Sequence, residues 1–528
     1  MRSLHFFRKM HRYLIKSDGA LKASCSLGNH PTAAAALCMV VSLWNSSAAS
    51  DRNSMKHWVG SWACAPYNTT NQNNPRFDFD DKTLRQIVRV SIGGDTVRVK
   101  FSNITCSQPV IMKSVSIAAS PDGTKSAVSG STITKLTFEG DSSVTINAKS
   151  EVYSDPVAFG LEPGMRVAIS IYYGQCRGTD DMTFHYGSRT NSYYVSGNKT
   201  ASVDFSGAST IERWFTICGI DVLAPKSAVS VAVIGNSITD GSTLTGGLQN
   251  RWTDRFSEAL LKDTATDEVG VLNLGIGATL VTSPSNGADA GVVRFGHDIL
   301  GQAGVHWVII FYGVNDLAGG KSANDVINGF TTMVTATHAR DTGIKVYGAT
   351  ITPFQGYSNT SYTSKESVRR EVNNWIRSND VYDGFIDFDK AVQNPNDTTR
   401  FQQTLQSDWL HPNAEGHKVM GEYIDRKMFT PPPPVGVIDA HNASDRTADI
   451  LSVTLVNGTT AVAFELPDES FVSLKVYSIL GKEIAECAGR KFPAGRQTLS
   501  VGSGNRAKGM YVYSLKAGTF CISRIVMH

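Results

Sequence analysis

The stretch Val231-Ala-Val-Ile-Gly-Asn-Ser-Ile-Thr-Asp-Gly241 decides the fold of the central part of this chain. Its apolar, partly β-branched start predicts a buried parallel strand, which Gly235 and Asn236 end. Ser237 follows on a tight turn, and an amphipathic helix begins near Gln249. A serine between a strand and a helix lies at the carboxyl edge of a parallel sheet, where α/β folds bind their ligands. The alternative is that Ser237 only caps the helix.

Strand-like and helix-like segments alternate over residues 223–430. The predicted strands are Val229–Ile234, Gly270–Leu274, Trp307–Phe311, Lys345–Ile351 and Phe385–Phe388. The predicted helices lie near residues 249–262, 290–302, 323–340, 363–378 and 414–428. This βαβ rhythm predicts an α/β domain with a doubly wound parallel sheet that helices cover on both faces.

An all-β region precedes this domain over residues 51–222. Period-two segments separated by Gly, Asp and Ser clusters predict a β-sandwich or jelly roll. The clearest segments are Arg85–Ile92, Thr96–Phe101, Ser143–Asn147 and Met165–Tyr172. Sandwiches often bind carbohydrate, but the fold alone does not assign that role.

A proline run, Thr430-Pro-Pro-Pro-Pro434, ends the α/β domain. Residues 431–448 are predicted to form a stiff extended linker. A second β pattern over residues 449–528 then predicts a small separate β-sandwich. Its predicted strands are Ser452–Leu455, Thr460–Phe464, Val472–Tyr477, Thr498–Val501, Met510–Leu515 and Phe520–Val526.

The first fifty residues have the pattern of a signal peptide and leader. A basic start is followed by the apolar run Thr32–Leu43 and by the small residues Ser46–Ser50. The pattern predicts export with cleavage near Ala49, and the apolar run is too short for a membrane span. The alternative is a cytosolic disordered N-terminus.

Composition is that of an ordinary globular protein with several domains. The chain has 528 residues, a formal net charge of +3, 18% charged residues and 41% hydrophobic residues. No basic run outside the N-terminus indicates a nucleic-acid or lipid surface. No cysteine spacing resembles a metal site; in an oxidising compartment some cysteines could pair, and isolated buried thiols are the equal alternative.

A carboxylate and an imidazole follow close together in Ser407-Asp-Trp-Leu-His-Pro412. At this spacing on a turn, Asp408 can hold Nδ1 of His411, so that Nε2 faces Ser237 as a general base. The order Ser, Asp, His is one of the known layouts of a catalytic triad. Taken singly, Asp408 could instead cap the helix that follows, and His411 could be a surface turn residue.

Two further segments follow predicted strands. Tyr312-Gly-Val-Asn-Asp316 places Asn315 at a strand end, where its amide can donate to an oxyanion. The alternative is a simple Asn-Asp turn. Asn273–Thr279 is rich in glycine, so backbone N–H groups near Gly277 and Ala278 can point into the same site. It has no phosphate-binding glycine pattern.

These segments resemble the sequence blocks of the SGNH/GDSL-type hydrolases over residues 229–428. Gly235-Asn-Ser237 resembles the G-D-S block, with Asn236 replacing the usual Asp. Gly275-Ile-Gly277 resembles the block with the oxyanion glycine, whose position Ala278 occupies. The resemblance implies a flavodoxin-like three-layer α/β/α fold.

Gly313-Val-Asn-Asp316 resembles the family's G-x-N-D block and Asp408-Trp-Leu-His411 its D-x-x-H block. The resemblance therefore implies a role for each candidate residue. The implied catalytic residues are Ser237, Asp408 and His411, and the implied oxyanion hole is Ser237, Ala278 and Asn315, with Gly277 supporting. Neither a metal ion nor an organic cofactor is expected, because a neighbouring base activates the hydroxyl.

The resemblance extends beyond the α/β domain on both sides. Trp58–Trp62, Leu84–Arg89 and Val97–Asn103 look like the β-domain of a secreted bacterial subfamily that includes xylanase-associated esterases. Leu474–Lys482 and Gly509–Tyr513 are similar to the sorting domain of type IX secreted proteins, and an ordinary accessory β-module is the alternative.

The expected function is that of a secreted or cell-surface bacterial serine esterase. Its implied substrate is an acetylated polysaccharide or oligosaccharide such as acetylated xylan. Its implied second partner is the secretion machinery, through residues 449–528; nucleic acid and a stable membrane span are not expected. The alternatives are a lipase, arylesterase or thioesterase with the same triad, and a non-catalytic carbohydrate-binding protein.

Overall fold

A computed structural model describes ten ranges of the chain. They are residues 56–68, 79–174, 176, 182–431, 449–456, 459–466, 468–478, 483–502, 510–517 and 520–527. The predicted leader over residues 1–50 lies outside the described residues, as does the predicted linker apart from Pro431.

The predicted β-rich region is confirmed as two sheets around one apolar core. Its strands are β1 (Lys56–Ala63), β2 (Lys82–Arg89), β3 (Gly94–Ser102), β4 (Val110–Ala119), β5 (Thr134–Leu136), β6 (Val144–Ile146), β7 (Glu151–Tyr153), β8 (Val157–Leu161), β9 (Arg166–Tyr173), β10 (Phe184–His185), β11 (Ser192–Ser196), β12 (Ser209–Ile211), β13 (Trp214–Phe215) and β14 (Ile217–Pro225). One sheet has the order β1-β14-β3-β7, with β8 also on β3. The other has the order β12-β11-β2-β9-β4-β5, with β6 also on β4.

Strand β3 shows why this region folds as a sandwich. Val97, Val99 and Phe101 are buried in the shared core, while Arg98 and Lys100 between them are partly exposed. Alternation with period two gives a strand one apolar and one polar face. A pair of strands not predicted from the sequence, β10 and β13, forms a separate small sheet.

The α/β domain contains five parallel strands in the order β16-β15-β17-β18-β19. They are β15 (Val229–Gly235), β16 (Val269–Gly275), β17 (Val305–Phe311), β18 (Lys345–Ala349) and β19 (Gly384–Ile386). The first strand therefore lies between the second and the third, which is the flavodoxin-like order. The carboxyl ends of β15, β16 and β17 meet at one edge of the sheet.

Nine helices and a small hairpin belong to the described part of this domain. The helices are α1 (Ser237–Asp240), α2 (Trp252–Leu260), α3 (Gly291–Asp298), α4 (Val314–Ala318), α5 (Ala323–Arg340), α6 (Thr360–Thr363), α7 (Glu366–Ser378), α8 (Phe388–Val392) and α9 (Ala414–Tyr423). The hairpin consists of β20 (Gln393–Asn394) and β21 (Asp397–Phe401).

Helices pack on both faces of the sheet. On β15, Val231 belongs to one apolar core with Phe256 of α2 and Met420 of α9. Ile234 of the same strand belongs to a second core with Phe330 of α5. Because alternate strand residues enter separate cores, the domain has the predicted three layers.

Three predicted segments of the α/β domain end earlier in the structure than the sequence pattern predicts. The helix predicted over residues 414–428 ends at Tyr423, and a 3₁₀ turn follows over Arg426–Phe429. Asp425 separates them because its side chain accepts from the Lys427 backbone N–H, a local bond that competes with the helix. The strand predicted over Lys345–Ile351 ends at Ala349. The strand predicted over Phe385–Phe388 ends at Ile386, because Asp387 caps α8, which begins at Phe388.

The C-terminal region contains two antiparallel sheets. Its strands are β22 (Asp449–Val456), β23 (Thr459–Leu466), β24 (Ser470–Ser478), β25 (Glu483–Phe492), β26 (Gly495–Gly502), β27 (Met510–Ala517) and β28 (Phe520–Met527). The sheet orders are β22-β23-β26 and β25-β24-β27-β28. Phe464 and Leu474, one from each sheet, are fully buried in the same apolar core.

Candidate active site

The junction of β15 and α1 positions Ser237. Strand β15 ends at Gly235, the Asn236 side chain accepts from the Ile238 N–H at 3.2 Å, and α1 begins at Ser237. A β-carbon at position 235 would lie 2.2 Å from Thr239 Oγ1. Only glycine therefore allows the strand to turn this tightly into the helix.

Ser237, His411 and Asp408 form a continuous hydrogen-bonded line. The Ser237 Oγ atom lies 2.9 Å from His411 Nε2. His411 Nδ1 lies 2.8 Å from Asp408 Oδ2. Since the ionised carboxylate only accepts, Nδ1 carries the proton, and Nε2 is left to accept the serine proton. This arrangement can activate a serine hydroxyl as a nucleophile.

The loop of Asp408 holds the carboxylate and the imidazole together. Asp408 Oδ1 accepts from the backbone N–H of Leu410 at 3.0 Å and of His411 at 2.8 Å. Burial raises the pKa of Asp408, but hydrogen bonds from His411 outweigh it and lower the pKa to about 2. Asn413 caps α9 instead, through Gly416 N–H at 3.0 Å, so Asp408 is not the helix cap.

Two backbone N–H groups of the predicted oxyanion hole are without a described acceptor. Within the described residues, neither the Ser237 N–H nor the Ala278 N–H donates a hydrogen bond. Asn315 donates from Nδ2 to the Thr279 carbonyl at 3.0 Å and accepts at Oδ1 from the Tyr362 hydroxyl at 2.9 Å. The amide orientation is thereby set, and its second N–H is left for a ligand.

Polar side chains hold the carbonyls of Gly277 and Ala278. Asn286 Nδ2 donates to the Gly277 carbonyl at 2.9 Å, and Ser285 Oγ donates to the Ala278 carbonyl at 2.9 Å. A trans peptide is planar, so its N–H points away from its C=O. Anchoring the Gly277 carbonyl therefore also sets the direction of the Ala278 N–H. The φ of Ala278 is +60°, in the left-handed region.

The range matched by a protein-family model includes all of these candidate site residues. Residues 233–419 match the model of the GDSL-like Lipase/Acylhydrolase family. The chain contains a GDSL-like hydrolase domain. All of the predicted site residues lie within the matched range: Ser237, Gly277, Ala278, Asn315, Asp408 and His411.

Solved structures with some likeness to the chain include a carbohydrate acetylesterase, Est24 from Sinorhizobium meliloti. It is 16% identical, with a TM-score of 0.29, and the match covers 38% of this chain and 98% of that chain. A GDSL-like lipase from Bacteroides thetaiotaomicron is 19% identical over 38% of this chain and 87% of that chain, with a TM-score of 0.27. At these TM-scores the likenesses do not bear on function. A search of curated proteins finds no match.

Several residues that support the GDSL-like site had no role in the sequence reasoning. Buried Arg294 donates to the Leu274 carbonyl at 2.9 Å and to the Gly235 carbonyl at 3.2 Å, at the ends of two strands. Asp316 accepts from the Val281 N–H at 2.9 Å, and burial raises its pKa. Asp316 ends the quoted segment Tyr312–Asp316 and Arg294 lies in the helix predicted near residues 290–302, but spacing alone does not show which backbone groups they reach.

The described residues include no group of three or more His, Cys, Asp or Glu side chains placed to hold a metal ion. Cys64 and Cys218 are buried free thiols, and burial raises the pKa of each. The side chains of Cys487 and Cys521 lie outside the described residues. Of the described helices, none has both the length and the apolar character needed to cross a bilayer.

Proposed function

We propose that this chain is a secreted bacterial serine esterase that removes short acyl groups, chiefly acetyl, from plant polysaccharide such as acetylated xylan. The observation that supports it most directly is the hydrogen-bonded line Ser237–His411–Asp408 beside two backbone N–H groups without a described partner. Export is supported by the N-terminal signal pattern, and the polysaccharide by the subfamily resemblance.

Acylation begins when Ser237 Oγ attacks the ester carbonyl carbon and His411 Nε2 takes the hydroxyl proton. The carbonyl oxygen becomes an oxyanion, and the Ser237 N–H, the Ala278 N–H and the Asn315 amide donate to it. Asp408 stabilises the imidazolium. The carbon–oxygen bond to the sugar then breaks, and the imidazolium gives its proton to the leaving sugar hydroxyl.

Deacylation repeats these steps with water as the nucleophile. His411 takes a proton from water, the hydroxide attacks the acyl carbon, and the same donors bind the second oxyanion. The bond to Ser237 Oγ breaks, and His411 returns the proton to Oγ. The acid is released and the serine hydroxyl is restored.

A small acyl group is supported by the loop that follows α1. The segment Gly241–Gly247 consists of Gly, Ser and Thr apart from Leu244, which is buried. This segment therefore exposes no large apolar side chain, and Leu248, which follows it in the loop, is 49% exposed. A lipase would need an apolar surface to bind such a chain.

The test is acetate release from acetylated xylan by the full-length chain and by two variants. Ser237→Ala should abolish release, while the matched control Ser242→Ala, on the neighbouring loop, should retain it. Hydrolysis of p-nitrophenyl acetate that depends on Ser237, without release from xylan, would keep the mechanism and remove the xylan assignment. A folded parent inactive on both would favour the carbohydrate-binding alternative.

A further inference from the structure

A buried hydrogen bond between a histidine and an aspartate connects the β-rich domain to the helix of the candidate nucleophile. His185 lies on β10, and Asp240 is the last residue of α1. Each is only 3% exposed, and His185 Nε2 lies 3.0 Å from Asp240 Oδ1. The packing is close, since a β-carbon on Gly187 would lie 2.1 Å from the same carboxylate oxygen.

The second oxygen of this carboxylate binds the oxyanion loop. Asp240 Oδ2 accepts from the Gly277 backbone N–H at 3.1 Å. One carboxylate therefore joins a histidine of the β-rich domain to the residue before Ala278. Among the contacts described for Gly277, its N–H is held by Asp240 and its carbonyl by Asn286.

Hydrogen bonds at both ring nitrogens and two aromatic neighbours fix the orientation of the His185 ring. Its Nδ1 lies 2.9 Å from the Ala65 carbonyl, which can only accept, so Nδ1 carries a proton. Tyr67 packs edge-on to the ring at 5.6 Å, and Trp214 lies at 5.8 Å. Nε2 faces a second oxygen, Asp240 Oδ1, at 3.0 Å.

Arginines stabilise the ionised form of Asp240. Burial alone would raise the pKa of Asp240, but His185, Arg189 and Arg251 hold that pKa below its usual value. Arg251 also donates to the Asp240 carbonyl at 2.9 Å and to the Gly187 carbonyl at 2.8 Å. The carboxylate is thus charged and fixed from both domains.

We propose that His185 and Asp240 are positioning residues for the oxyanion hole, through which the β-rich domain sets the direction of the Ala278 N–H. The inference rests on the proposed function. Neither side chain has a described contact with Ser237 Oγ or His411, so neither takes part in proton transfer. Their effect reaches the reaction through Gly277, because a donor must be correctly placed to stabilise the developing charge.

The variants His185→Ala and Asp240→Asn test this proposal in the full-length chain. The asparagine keeps the shape of the side chain but offers only one acceptor oxygen where His185 and Gly277 require two. A phosphonate ester titrates the active sites, and kcat for p-nitrophenyl acetate is expressed per titrated site. In both variants this kcat should fall at least ~10-fold. KM should change much less, because the oxyanion forms only in the transition state.

Arg89→Gln is the matched control. Arg89 of the β-rich domain pairs with Glu258 of α2 at 2.7 Å, so this variant removes another charged contact between the two domains. Its kcat per active site should stay within about 2-fold of the parent. A purely structural role of His185 would lower the active fraction and the Tm without lowering kcat per active site.

His185→Gln keeps a donor toward Asp240, so its kcat should be higher than that of His185→Ala. This second variant also tests the proposal if His185→Ala does not fold. Equal kcat values in the parent, Asp240→Asn and His185→Gln would overturn the proposal, as would an equal loss in Arg89→Gln. A parent that shows no hydrolysis dependent on Ser237 would overturn the proposed function instead, so the two failures are distinguishable.

Discussion

At the scale of single residues, Ala278 is the position where this chain departs most clearly from its family pattern. The resemblance places a glycine there, and the structure gives Ala278 a φ of +60°. Left-handed backbone costs a residue with a β-carbon roughly 1–2 kcal/mol. Hydrogen bonds from Ser285 and Asn286 to the adjoining carbonyls hold the strained turn in place.

Ala278→Gly should therefore leave kcat within about 3-fold of the parent, because the donor is a backbone N–H that glycine also has. The free energy of unfolding should rise by up to about 1 kcal/mol, since relief of strain exceeds the entropic cost of glycine. Steady-state kinetics and urea unfolding measure the two effects. A large loss of kcat would show that the alanine methyl group itself shapes the site.

Asp408 gives the site a pH-dependent contribution to stability. Its pKa of about 2 is below the value of about 3.9 expected when unfolded, so its stabilisation is complete above about pH 4. That stabilisation is lost as the pH falls through 2. Between pH 4 and pH 2 the free energy of unfolding should fall more steeply in the parent than in Asp408→Asn. Parallel curves from urea unfolding would contradict the assigned shift.

At the scale of elements, the regular strands and long helices were predictable and the irregular ones were not. Strand β15 and helix α5 follow clear hydrophobic patterns, and the structure places them as predicted. Strand β25 was missed because its Ala, Gly and Glu residues have low β propensity, and pairing with β24 forms it. The four-residue helix α1 was missed because the tight turn at Gly235 produces it.

The segments that follow β15, β16 and β17 were also predictable as neighbours, because parallel strands bring their carboxyl ends to the same edge of the sheet. The contacts of Asp240 and Asn286 were not, since each depends on backbone groups far along the chain. His185 was missed for the same reason: its partner lies in another domain. Local pattern therefore predicted which candidate groups meet at the sheet edge, whereas tertiary packing determines the groups that hold them there.

The junction of β15 and α1 should tolerate no side chain at Gly235. A β-carbon there would lie 2.2 Å from Thr239 Oγ1 and 2.9 Å from the Phe311 carbonyl. Gly235→Ala should shift α1 and with it Ser237, and misplacement by about 1 Å can cost ~10²-fold in rate. Phosphonate titration followed by kcat per active site measures the loss. Parent-like kcat would contradict this close packing around Gly235.

At the scale of the whole molecule, the candidate chemistry is confined to the α/β domain, and the β-rich domain contacts it through charged pairs. All predicted triad and oxyanion residues lie within residues 233–419, the range of the family match. The C-terminal sheets supply none of them. Their sorting role remains a prediction, supported by the resemblance of residues 474–482 and 509–513.

Removal of residues 432–528 should leave kcat for p-nitrophenyl acetate within about 2-fold, since no predicted site residue is removed. In a bacterium with type IX secretion, the truncated chain should stay in the periplasm, while the full chain reaches the cell surface or medium. Fractionation and immunoblotting measure this. Equal export of both chains would support the accessory-module alternative.

The most direct test of the central claim is a chemical one at Ser237. The full-length chain is treated with a p-nitrophenyl phosphonate ester, digested and mapped by mass spectrometry. A stoichiometric phosphonyl adduct on the peptide that contains Ser237, absent in Ser237→Ala and strongly slowed in His411→Ala, is the predicted result. A folded chain that forms no adduct, or forms it on another residue, would contradict the assignment of Ser237 as a nucleophile activated by His411.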